Sequence, residues 1–179
     1  MEMTLVPLGF YELPIFKSLT PAEVDEIGRL AMPVNFEKGE VLFRENSPSN
    51  HVDIVWEGAV EICKHDREGV RRTIAIVGAK SVVGETSLMS ALDRSCTGIA
   101  VTDVQSYRIR REDFVALLDR GSLAAYKVIY NLAQVLSGRL RTVDEKLVEM
   151  MHERPAAEGE ARHQEFSDFG RKLFTEWAF

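Results

Sequence analysis

The residues of this 179-residue chain best suited to chemistry lie in one short stretch. It runs Val83-Gly84-Glu85-Thr86-Ser87 and resumes at Arg94-Ser95-Cys96. Gly84 carries no side chain, so a ligand can approach its backbone closely, and it reaches dihedrals that other residues avoid. A turn beginning at Glu85 and running to Met89 points backbone N–H groups, and a positive dipole end, at an anion. Arg94 offers a planar fork of donors that fits two oxygens of a phosphate at once. Glu85, when ionised, accepts a hydrogen bond from a sugar hydroxyl. The N–H groups of Ser95 and Cys96 add to the same anion nest. The plainer alternative is that Glu85 and Arg94 simply pair with each other across a loop.

Such a stretch needs a rigid frame, and the surrounding pattern predicts one made of strands. From Met32 to Arg110 short runs of alternating apolar residues are separated by turn signals, the mark of an all-β sandwich or roll. Val34/Phe36 and Val41/Phe43 flank the turn at 37–40. Val52/Ile54/Trp56 alternate with period two, Glu57-Gly58 turns the chain, and Val60/Ile62 continue it. A charged tip, His65 to Gly69, leads to Ile74/Ile76. Ile99/Val101 and Tyr107/Ile109 form another pair of alternating strands around Asp103-Val104. The region from Gly78 to Ser95 breaks this regularity, and function tends to sit at such breaks.

Helices flank the strands. Thr20 caps a helix over 20–30, Pro21 suits its first position, and Glu23 completes a capping box. A second helical phase starts near Arg111, breaks at Gly121-Ser122, and restarts as a long helix from about Leu123 to His152. Its apolar residues step Ile129, Leu132, Leu136, Leu140, Val143, Leu147 and Met150, a stripe that suits packing on the roll in its first half. Over 136–150 it suits a dimer seam. Residues 156–164 read as a polar linker. Phe166, Phe169, Leu173 and Trp177 then share one face of an amphipathic tail, which docks on its own domain or binds a partner. The chain thus divides into an N-terminal extension (1–14), a β-roll (15–120), a long helix acting as lid or dimer seam (121–154), and a linker with a tail (155–179).

The run from Gly84 to Cys96 resembles the phosphate-binding cassette of the cyclic-nucleotide-binding family, which includes the catabolite activator and the regulatory subunit of the cAMP-dependent kinase. The shared features are Gly-Glu, a short helical turn, then Arg followed by small residues and a strand. The likeness spans about Leu13 to Leu147 and takes in KGEVLFRENSPSN, WEGAVEI and TDVQSYRIRREDF. It implies a mainly-β fold, a double-stranded β-helix or jelly-roll-like β-roll, with an N-terminal helix and a long C-terminal helix. It also implies a sugar cyclic phosphate as ligand, cAMP first and cGMP second, with no cofactor and no catalysis. Three positions depart from the family pattern. Residues 79–83 lack the second glycine, Asp93 stands where a proline is frequent, and residues 47–50 replace a glycine-containing turn. Asp93 places a carboxylate beside the anion site, where it competes for Arg94. Ser95 is the residue that relatives use to touch the base, and Asp144 on the long helix is placed to accept from a base amino group.

Composition bounds the alternatives. A hydrophobic content of 45% with 28% charged residues is that of an ordinary globular protein. A net charge of -6 argues against DNA binding by this chain alone, and the stretch after Pro155 is too short for a helix-turn-helix module. No signal sequence and no membrane span is expected, which places the protein in the cytoplasm. His51, His65, His152 and His163 lack metal-site spacing, so a metal enzyme is disfavoured. Cys63 and Cys96 read as reduced thiols; a positive site near Cys96 would lower its pKa, but a buried inert thiol is the commoner case. The expected role is a cyclic nucleotide sensor that signals through its long helix to a protein partner or a second copy. The competing role is a ligand-free β-roll acting through that helix and the tail.

Overall fold

The computed structural model describes residues 7–152. By its internal contacts the chain divides into two units, Met1–Leu136 and Ser137–Phe179. The first unit holds β1 (Met32–Phe36), β2 (Val41–Phe43), β3 (His51–Glu57), β4 (Val60–His65), β5 (Arg71–Val77), β6 (Ser81–Val83), β7 (Thr97–Ala100) and β8 (Val104–Arg110). These pair antiparallel into two four-stranded sheets, ordered β1-β8-β3-β6 and β2-β7-β4-β5. The helices are α1 (Pro21–Gly28), α2 (Thr86–Met89), α3 (Arg111–Asp119) and α4 (Leu123–His152). The β-roll with flanking helices read from the sequence is the fold.

β3 explains why the roll holds together. It is a central strand whose two faces are both buried. Val52 and Ile54 face a core shared with Phe10, Phe16, Phe114 and Leu132 from the helical layer. Val55, on the other face, packs with Phe43, Val60 and Val83 between the sheets. Period-two alternation in this strand therefore separates two apolar cores rather than a core from solvent.

The helix boundaries follow local chemistry. Thr20 and Glu23 exchange backbone-to-side-chain hydrogen bonds of 2.7 and 3.4 Å at the start of α1, the expected capping box. Gly121 adopts φ +74, a left-handed residue that separates α3 from α4. In its first turns α4 buries Ala124, Ala125, Val128 and Leu132, and Asn131 donates to the carbonyls of Ile15 and Lys17 at 3.0 and 2.6 Å. The first half of the stripe packs on the roll, as its sequence suggests.

Three features differ from the sequence reading. Residues 8–16 form two 3-10 turns whose Phe10, Leu13 and Phe16 are core residues, so the part of 1–14 described here is packed rather than an extension. The break between Gly78 and Ser95 contains an extra strand, β6, paired with β3. β7 and β8 are consecutive but lie in different sheets. In the second unit α4 continues with Leu140 and Val143 exposed. The side chains of Leu147 and Met150, the linker at 156–164 and the tail at 166–179 lie outside the described residues.

Candidate functional site

β6 delivers the chain to the site. Val83 is buried and stands opposite Asp53 of β3. Gly84 follows with φ +73, a conformation that favours glycine, and a Cβ there would run into Nη1 of Arg94. Glu85, buried, precedes the single turn of α2. Thr86 is exposed, whereas Ser87 is fully buried. The Ser87 Oγ lies 2.6 Å from the carbonyl oxygens of both His51 and Gly84, and its one proton serves a single acceptor at a time.

Arg94 is fixed at both levels. Its backbone N–H donates to Ser47 O at 2.9 Å, and its carbonyl accepts from Asn46 N at 2.8 Å, which ties the cassette to the β2–β3 loop. Its side chain is only 4% exposed. Nη2 donates to the His51 carbonyl and Nη1 to the Gly84 carbonyl at 3.3 Å. The guanidinium lies 4.5 Å from the centre of the Phe43 ring, a cation–π contact. Among the described residues its buried Nε has no hydrogen-bond partner. Both hydrogen bonds end on neutral carbonyls. Burial pushes the Arg94 pKa below the usual arginine value, and Asp53 opposes that fall.

Asp53 is the residue that sequence reasoning missed. It is fully buried, and Arg108 of β8 grips it with both Nε and Nη2 at 2.8 Å. Nε2 of His51 lies 3.3 Å from its Oδ2. Burial alone would raise the pKa of this carboxyl, but the His51 and Arg108 contacts outweigh it and hold the group below the usual aspartate range. The available signal was an acid at an inward position of an otherwise apolar strand, HVDIVWE. A buried charge on such a strand needs a partner.

The structure thus brings Val83 to Ser87 together with Arg94. Ser95 is exposed and Cys96 half-buried beside it. Cys96 fits the inert-thiol reading, and its pKa is not lowered. Burial raises it, and the opposing pull of Ser95 and Arg94 is smaller. Burial likewise raises Cys63. Asp144 is exposed on the part of α4 that belongs to the second unit. Among the described residues there is no group of three or more His, Cys, Asp or Glu able to hold a metal ion. Nor, among them, is any helix long and apolar enough to cross a membrane.

Comparison with known proteins agrees with this geometry. The chain is 32% identical over 134 residues to the cyclic AMP receptor protein of Thermus thermophilus, covering 75% of this chain and 60% of that relative. The chain therefore spans less than two thirds of that relative's length. The crystal structure of the Thermus thermophilus catabolite activator protein superposes with a TM-score of 0.69 at 30% identity, over 77% of this chain and 63% of that one. A cyclic nucleotide-binding domain from Methylobacillus flagellatus shares the fold, with a TM-score of 0.70 at 22% identity over 79% of each chain. Residues 33–121, which carry all eight strands except the first residue of β1 together with the cassette, match the family model of the cyclic nucleotide-binding domain. Through residues 33–121 the chain belongs to the cyclic nucleotide-binding domain family.

Proposed function

We propose that this protein is a non-catalytic sensor of a 3′,5′-cyclic nucleotide, cAMP in the first place with cGMP as the alternative, acting in the cytoplasm. The observation that carries the reading is the state of Arg94: a guanidinium buried to 4% exposure, with its fork on two neutral carbonyls and its Nε without a partner. A buried cation is costly unless a counter-charge satisfies it. A cyclic phosphate would supply that charge at hydrogen-bonding range, and Ser87 would keep a donor on one of the two carbonyls that Arg94 gives up. Backbone N–H groups around Glu85, Thr86, Ser95 and Cys96 would complete the anion site. Glu85 would accept from the ribose hydroxyl.

Binding would favour the conformation in which α4 closes over the ligand, and the moved helix would be read by a protein partner or a second copy through residues 136–150. A second reading, a ligand-free interaction module, draws on the same arginine, because carbonyl-bound Arg94 also serves as a structural brace. Calorimetry with cAMP and cGMP on the native chain and on Arg94→Ala separates the two. The sensor binds one of them and loses at least about tenfold affinity in the variant, the scale of one charge-assisted hydrogen bond. No heat with either nucleotide on cooperatively melting protein refutes sensing.

A further inference from the structure

A cleft of about 520 Å³ lies between the β2–β3 loop at Pro48–His51, Ala91, and the β8–α3 junction at Arg108–Glu112. That volume is within the range of small-molecule sites. Three arginines line it, and carboxylates neutralise two of them. Arg108 spends Nε and Nη2 on Asp53, and Arg110 is held by Asp113 and Glu112. Arg111 differs. Among the described residues it forms none of the ion pairs that neutralise its neighbours, and its Nε is buried without a hydrogen-bond partner. Its backbone N–H is fixed on the Asn50 carbonyl at 2.8 Å, so the start of the side chain is anchored.

An unneutralised guanidinium with a buried donor, in a cleft of ligand size, calls for an anion. The geometry points to a second anion site in this cleft, centred on Arg111 rather than on Arg94, that takes a phosphate-class group of a small molecule. Arg108 contributes its Nη1, which Asp53 does not use. Ser49 and Asn50 also line the cleft. The carboxylate of Glu112 on the rim opposes the anion, and that limits affinity. His51 borders both sites. Its carbonyl accepts from Arg94 and Ser87, while its ring meets Asn50 at 2.6 Å in the cleft.

The test is a titration of the ¹⁵N-labelled full chain with inorganic phosphate and, separately, glycerol 3-phosphate at low salt, following the Arg111 Nε–Hε resonance. The expected result is a saturable shift. Tighter binding of the ester assigns a phosphoester ligand, and equal binding assigns free phosphate. Arg111→Gln weakens binding by about tenfold, the loss of one charged donor. Glu112→Gln, an exposed change that keeps the test valid if the arginine variant does not fold, tightens it. The proposal is overturned if a chain that melts cooperatively shows no saturable shift, or if Glu112→Gln leaves affinity unchanged. It is also overturned if binding survives Arg111→Gln and is lost in Arg94→Ala, which would put the anion in the cassette. Cyclic nucleotide binding is measured separately, so failure of one site leaves the other decidable.

Discussion

Gly84 and Arg94 are interlocked. The Gly84 carbonyl accepts from Nη1 of Arg94 at 3.3 Å, and the Gly84 Cα faces that same nitrogen so closely that no Cβ fits. The glycine is thus required twice, for its φ of +73 and for the space its missing side chain leaves to the guanidinium.

Gly84→Ala tests this relationship. A left-handed alanine costs about 1–2 kcal/mol, and the collision with Nη1 adds to it. The expected outcome is a loss of at least about 1 kcal/mol in urea unfolding, accompanied by weaker nucleotide binding in calorimetry. A variant with native stability and native affinity would contradict the interlock.

Asp53 carries a pH signature. Its folded carboxyl is held below the unfolded value, so the stabilisation is present above about pH 4 and fades as pH falls through the lower folded value. Asp53→Asn leaves Arg108 half-buried without its counter-ion, at a cost of about 3 kcal/mol at pH 7. Urea melts of native and variant chains are expected to diverge at pH 7, with the gap narrowing as pH falls below about 4. A gap independent of pH would show that the ion pair does not stabilise the fold.

Asn131 pins the 3-10 segment to α4. Its Nδ2 serves two carbonyls, and its side chain is buried. Asn131→Ala orphans both, with an expected cost of about 1–3 kcal/mol. Hydrogen exchange should quicken at residues 10–19 before it does in β3. Uniform acceleration across the first unit would argue against a local pin.

The α4 stripe beyond Leu136 predicts self-association. Leu140 and Val143 are 42% and 60% exposed, an apolar pair that a coiled-coil seam would bury. Sedimentation equilibrium of the full chain is expected to show a dimer, and Leu140→Glu with Val143→Glu a monomer with an unchanged thermal melt of the roll. A native chain that is monomeric throughout would end the dimer proposal.

Much of this molecule was readable along the chain, because much of it rests on local rules. The capping box at Thr20 and Glu23, the break at Gly121 and the span of α4 depend on residues a few positions apart, and the structure reproduces each of them. The alternation in β3 was equally legible. Its meaning was not, since period two is the same whether one face or both are buried. The cassette at Gly84, Glu85 and Arg94 was legible through its context between strands and a long helix and, in large part, through the family resemblance, since the same dipeptides are common in isolation.

What only the tertiary structure decided is who partners whom across the roll. Asp53 meets Arg108 over 55 residues, a cross-strand pair set by sheet register. Arg94 reaches the His51 carbonyl over 43 residues. A main-chain carbonyl leaves no trace in residue identity, so no sequence pattern could name it. Residue types determined which charges and turns were available. The register of two sheets, fixed by burying both faces of β3, determined which of those charges meet.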